Sequence, residues 1–246
     1  SAAWRISEES FFEPVRDVMS NLKLRLSVGS VGNQQVSNYA YIEQISTDNQ
    51  MTYTFDGLER GYYANVSDPL SSGLTWETVT TYDVGLDVGL LNGRLNFTGD
   101  YYIRDTKDML TTSLTLPDVF GAKTPKANCA DLRTKGWEIT LGWRDHIGDF
   151  SYGLSFNLSD DVSKMGYIGG KEVISGGKII REGDEYNSWY GYVNEGLYQS
   201  PEEVKNSATM GDFVAPGDIR YKNFADGDPD NPLISTDYDR RVLGSS

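Results

Sequence analysis

The alternation of apolar and polar residues is sharpest in "YDVGLDVGLLNGRLNFTGDYYI", from Tyr82 to Ile103. Asn92-Gly93 interrupts it, and Asn-Gly between alternating segments is the strongest local signal for a β-hairpin, because a type I′ turn needs positive φ at both central residues. With that turn, Leu91 pairs with Arg94 and Leu90 with Leu95. The same register sets Val88 opposite Phe97, Leu86 opposite Gly99, Val84 opposite Tyr101 and Tyr82 opposite Ile103. One face is then apolar. The other carries Asp83, Asp87, Asn96, Thr98 and Asp100, with Gly85 and Gly89 between them. From Tyr82 to Leu90 the pattern covers about 27 Å, longer than most globular strands and close to what a spanning strand requires.

Three further segments share the period of two. In "NLKLRLSVG", Leu22, Leu24, Leu26 and Val28 oppose Lys23, Arg25 and Ser27. In "GWEITLGWR", Trp137, Ile139, Leu141 and Trp143 oppose Glu138, Thr140 and Arg144. In "FSYGLSFNLS", Phe150, Tyr152, Leu154, Phe156 and Leu158 oppose Ser151, Gly153, Ser155 and Asn157. The predicted connections alternate: long over 30–73, short at Asn92-Gly93, long over 105–135, short over 145–149, and long after 159. All long connections fall at one end. That rhythm predicts an all-β, up-and-down antiparallel transmembrane barrel, in which one rim carries long loops and the other tight turns. Trp137, Trp143, Tyr82 and Tyr101 lie near strand ends, where interfacial aromatics belong. The alternative is a soluble secreted carbohydrate-binding β-sandwich, which alternates in the same way. The two differ over Leu86, Val88, Phe97 and Tyr101: a sandwich buries them under a second sheet, a barrel leaves them on an outward belt.

Composition narrows the classes. The 246 residues include 26 Gly and 16 Tyr, a net charge of −14 and one cysteine. The acidic balance argues against nucleic-acid binding. A lone Cys129, expected in a long loop, excludes an internal disulfide framework. No apolar run reaches the length of a transmembrane helix. The N-terminus lacks the pattern of a signal peptide, so an export signal is either absent or removed.

Candidate chemistry is local. In "DGDPDNPLISTD", Asp226, Asp228 and Asp230 occupy positions 1, 3 and 5 of a calcium loop, and Asp237 position 12. Alternate carboxylates in a tight loop converge on one hard cation. Asn231 stands where glycine is usual, and Pro229 and Pro232 stiffen the loop; the competing reading is a solvated acidic turn. "NSWYGYVNEGLY" offers Trp189, Tyr190 and Tyr192 as rings that stack on sugars, or that pack loops together. His146, expected in a short turn, has no second metal ligand. "IGGKEVISGGK" lacks phosphate-loop spacing and reads as glycine-punctuated hairpins. The acidic pairs Asp160-Asp161 and Glu202-Glu203 define no acid/base couple, and no catalytic constellation is expected.

The segments "SAAWRISEESFF", "LKLRLSVGSVGNQ", "LTWETVTTYDVGLDVGLLNGRLNFTGDYYIRDTKDML", "TKGWEITLGW", "NEGLYQSPEEV" and "PGDIRYKNFADGD…DRRVLG" closely resemble the C-terminal barrel of SusC/RagA-like TonB-dependent outer-membrane transporters. The resemblance is ordered along nearly the whole chain. It implies a 22-stranded barrel with an N-terminal plug, importing glycans or peptides across the bacterial outer membrane. A SusD-like surface lipoprotein would be its lid and TonB its energy source, and lipid would surround the wall. On this reading residues 1–246 are a partial barrel domain of about five spanning strands, with plug and final strands absent and the long loops extracellular. The resemblance also suggests a DxNGDGxI-type loop, sometimes metal-bearing, at Asp226, and makes Asp239 rather than Asp237 its closing carboxylate.

Overall fold

A computed structural model describes residues 1–33, 42, 45–48, 54–55, 59–60, 63–66, 73–112, 119, 126–224, 234 and 238–245. They form two compact units, Ser1–Gly169 and Gly170–Ser246.

The first unit is built on one antiparallel sheet. Its strands are β1 (Ala2–Arg5), β2 (Met19–Asn33), β7 (Glu77–Leu90), β8 (Leu95–Thr112), β9 (Lys126–Ile147) and β10 (Phe150–Met165), in the order β1-β2-β7-β8-β9-β10. Between β2 and β7 lie the short strands β3 (Ile45–Asp48), β4 (Thr54–Phe55), β5 (Glu59–Arg60) and β6 (Tyr63–Val66), which pair as β3 with β6 and β4 with β5. The five long strands are the alternating segments of the sequence, and consecutive members neighbour each other. This is an up-and-down wall.

The hairpin register holds in every pair, from Leu90↔Leu95 through Val88↔Phe97 to Tyr82↔Ile103. Its turn is tighter in conformation than Asn-Gly alone requires: Leu91, Asn92 and Gly93 all have positive φ, at 53, 55 and 80°. Leu91 pays the steric cost of a left-handed residue while its N–H donates to Val18 O at 3.1 Å, tying the turn to the chain that enters β2. The second turn is shorter than expected. β9 continues to Ile147, which pairs with Phe150, so that Gly148 and Asp149 alone make the turn and His146 sits in a strand opposite Ser151. Only Gly148 has positive φ there, as a type II′ turn requires.

At the other end the strands outrun the apolar pattern. β8 and β9 remain paired through Thr112↔Lys126, so much of the stretch expected to be a loop is strand, and Cys129 lies in β9. The ladder continues there on polar contacts instead of apolar ones. Asn128 Nδ2 donates to Thr75 O and Asp108 O at 2.8 and 2.7 Å, and Asn128 Oδ1 accepts from Thr75 N at 2.8 Å. Cys129 Sγ lies 4.0 Å from Thr111 O.

The apolar face of this sheet is uncovered. Val84 is 48% exposed, Tyr101 48%, Phe156 56% and Leu154 73%. Within this unit no second sheet packs over these side chains among the described residues, which disfavours the sandwich reading.

The second unit contains β11 (Val173–Ser175), β12 (Lys178–Ile180), β13 (Ser188–Tyr192), β14 (Asn194–Leu197), helix α1 (Pro201–Asn206), β15 (Ile219–Tyr221) and β16 (Arg240–Gly244). β11-β12-β13-β16 form one sheet, and β14 pairs with β15. Gly176 and Gly177, both at positive φ, turn β11 into β12, which is the glycine-punctuated hairpin. Its interior holds Ile179, Tyr198 and Ile234, with Ser188 donating to Glu185 O at 2.7 Å. Ser200 caps α1 by accepting from Glu203 N, and Glu203 accepts in return from Gln199 N, a variant of the capping box.

Candidate functional site

The polar face of the wall carries a charge network assembled from three strands. Arg25 pairs across the ladder with Gly85, and Gly85 with Asp100. Because position 85 has no side chain, the Arg25 guanidinium lies across it and reaches two acids. Its Nε and Nη2 donate to Asp87 at 3.0 and 3.1 Å, and Nη2 lies 2.8 Å from Asp100 Oδ1. A Cβ at Gly85 would stand 2.3 Å from Asp100 Oδ1 and 2.6 Å from Arg25 Cζ. The glycine is therefore a condition of the network. Tyr102 does the same over Gly136, where a Cβ would lie 2.5 Å from the ring carbon that bears the hydroxyl. Further along the same face Asn96, Thr98, Thr140, Gly142 and Gly153 line a shallow groove of about 610 Å³. This surface offers hydrogen bonds and a fixed arginine, as a wetted lining does.

The individual polar residues of this face are legible in the sequence, but the network is not. Its arginine comes from a strand separated from the hairpin by residues 34–76, so no local turn gives the β2–β7 register.

In the second unit the three aromatic candidates fall on two faces of β13. Trp189 shares a face with its partner Lys178, whose Nζ sits 4.7 Å from the indole centroid. Tyr190 and Tyr192 point the other way. The Arg240 guanidinium lies 4.7 Å from the Tyr190 ring, and Tyr192 packs against Tyr221 at 5.1 Å. Beside Tyr221, an apolar recess of about 340 Å³ is lined by Tyr198, Met210, Phe213, Ile219 and Ile234, with Asp218 at its edge. Tyr198 donates to Ala208 O at 2.7 Å, and burial pushes its phenol above the ordinary tyrosine range. Arg181 is opposed by burial, yet Asp184 and Glu172 beside it outweigh that cost and raise it further.

Of the five carboxylates in the acidic segment, Asp226, Asp228, Asp230 and Asp237 lie outside the described residues. Asp239 is buried, and its Oδ1 accepts from Phe224 N at 2.8 Å, joining the two ends of that segment. The acidic pairs behave as ordinary surface groups: Glu203 is bound to Arg220 at 2.6 Å, and Asp160 and Asp161 are exposed in β10.

Residues 4–240 match the family described as TonB dependent receptor-like, beta-barrel. The chain belongs to this TonB-dependent receptor family. It is 31% identical to TonB-dependent receptor P3 of Formosa agariphila over 98% of its own length and 24% of the relative's. To TonB-dependent receptor SusC of Bacteroides thetaiotaomicron it is 32% identical over 72% of this chain and 18% of SusC. The fold matches the RagAB peptide importer in its closed-closed state, with a TM-score of 0.70 and 22% identity over 99% of this chain and 25% of that one. The RagAB peptide transporter gives a TM-score of 0.68 at 24% identity, covering 80% and 21%. The chain thus spans about a quarter of the length of such relatives. Its SusC-like character, expected from the sequence, stands.

Proposed function

We propose that the chain is wall and loop of an active importer in the bacterial outer membrane, moving oligosaccharides or, in the second place, peptides. Membership of the TonB-dependent receptor family carries this reading. The two faces of the sheet support it: an uncovered apolar face suits lipid, and a face of acids, glycines and one bound arginine suits a water-filled lumen. Five long strands enclose nothing by themselves, so transport belongs to the whole receptor. The long loops are extracellular on this reading and shape the substrate vestibule, with Trp189, Tyr190 and Tyr192 as its aromatic contacts. A SusD-like lipoprotein closes over that vestibule and TonB acts from the periplasmic end. Calcium, if bound, sits in the acidic segment between Phe224 and Asp239. The RagAB comparison is with a peptide importer, which keeps peptides as the alternative cargo.

The test is uptake. Cells lacking the full-length receptor should lose growth on one class of oligosaccharide and regain it with the wild-type gene. Growth lost on peptides instead would select the second cargo, and no loss on either would remove both.

A further inference from the structure

Above the apolar band, on the same face of the sheet, the side chains change character within two rows. The row Tyr101–Trp137–Asp160 is followed by Ile103–Lys135–Val162 and then by Asp105–Arg133–Lys164. Arg133 spends both of its contacts on Asp105, with Nη2 at 2.9 Å from Oδ2, and Lys107 lies 2.5 Å from Asp131. Those pairs neutralise themselves. Lys135 and Lys164 are exposed and form no ion pair among the described residues. They flank Arg133, one two residues along its own strand and the other directly across the ladder. The acids of this rim are Asp105 and Asp131, both already engaged, the exposed Asp108, whose N–H donates to Asp131 Oδ1 at 3.2 Å, and Asp160 in the aromatic row beneath. Against them Lys135 and Lys164 stand without an ion pair among the described residues, just beyond Trp137 and Tyr101.

We propose that Lys135 and Lys164, on either side of the neutralised Arg133–Asp105 pair, bind the phosphate of an anionic lipid headgroup in the leaflet at the long-loop end of the barrel. This rests on the reading of the apolar face as lipid-facing. Geometry favours a lipid over a soluble anion. An aromatic row sits at headgroup level in a membrane, so cations one or two rows further out meet phosphates held there by their acyl chains. Side chains of lysine length span that distance while their stems stay on the apolar surface. Each cation near an anionic surface adds to the attraction, so two unpaired lysines suffice for a preference of roughly tenfold or more over a zwitterionic headgroup.

The experiment uses the full-length receptor in detergent micelles doped with equal amounts of dioleoyl phosphatidic acid and dioleoyl phosphatidylcholine, with retained lipid read by native mass spectrometry. The wild type should retain phosphatidic acid over phosphatidylcholine by that factor. K135Q/K164Q should lose the preference while K23Q, on the polar face, keeps it. Equal retention of the two lipids by the wild type would overturn the proposal, and this arm needs no variant to fold. A preference that survives in K135Q/K164Q would also overturn it. Loss of the preference in millimolar inorganic phosphate would assign the lysines to a soluble anion instead. If neither lipid is retained, the lipid-facing reading itself has failed, an outcome distinct from the loss of headgroup preference.

Discussion

Replacing Leu86 with arginine would place a guanidinium where the structure offers it nothing to bind. Leu86 lies opposite Leu24 on one side and Gly99 on the other, all on the apolar face. It is the midpoint of the band from Tyr82 to Leu90, about 13 Å along the strand from either end. At that depth a lipid-facing Arg costs about 2–4 kcal/mol, falling to about 0–1 near the interface. Tyr82→Arg, at the edge of the band, should therefore cost little. The control must sit on the polar face without disturbing an existing pair. Asp87→Arg fails that requirement, because it removes a partner of Arg25 and sets a third cation beside Arg25 and Lys23. Asn157→Arg meets it, since Asn157 faces Thr140 and no charged residue. In the full-length receptor, folded barrel can be measured by heat-modifiable migration across a urea series. Leu86→Arg should shift the folding equilibrium by roughly 30- to 700-fold, with Tyr82→Arg and Asn157→Arg close to wild type. Equal losses for Leu86→Arg and Asn157→Arg, or for Leu86→Arg and Tyr82→Arg, would refute the assignment of the two faces.

Gly85→Ala should displace Arg25 from Asp100 and cost about 1–3 kcal/mol in urea unfolding, whereas Gly153→Ala, whose Cβ would meet only ordinary contacts at 3.4 Å or more, should be near neutral. The Tyr198 phenol is held neutral by the fold, so the stability it lends is complete below about pH 10 and disappears as pH climbs through its raised value. Alkaline loosening of the second unit, followed by limited proteolysis, should therefore be blunted in Tyr198→Phe; an unchanged alkaline profile would contradict this. Isothermal titration of the full-length receptor should show calcium binding that Asp228→Ala abolishes, and no heat in the wild type at millimolar calcium would leave the acidic segment as a solvated turn.

What the sequence discloses follows the range of the interactions. Val88 and Phe97 could be paired because a turn of known geometry counts the register outward from Asn92-Gly93, and a slip by one residue would invert both faces. The same reasoning has no origin for β2, since 34–76 intervene, so Lys23 and Arg25 could be placed on the polar face but not against Asp87 and Asp100. Cys129 was misplaced for a different reason. Alternation marks only the stretch where one face is apolar; beyond it the strands are held by side-chain amides such as Asn128, which leave no period to read. His146 was misplaced because Asp145, His146 and Ile147, expected in a five-residue turn, continue β9 and leave a turn of two residues. Trp189, Tyr190 and Tyr192 were visible as a cluster, but a strand sends neighbours to opposite faces, and that divides them.

The ring of Tyr102 resting on Gly136 bears on how this stretch of wall can drift in sequence. A methyl at 136 collides with the ring, and a smaller residue at 102 leaves bare backbone where the ring had lain. Each change alone is penalised, while the exchanged pair, a bulky residue at 136 with glycine at 102, restores the cover from the other strand. The two positions are thus epistatic: the second substitution is acceptable only in the background of the first, and the path between the two forms crosses a less stable intermediate. A double-mutant cycle on Gly136 and Tyr102 should return a coupling far from zero, while Gly142, whose Cβ would approach nothing closer than 4.0 Å, remains free to vary alone.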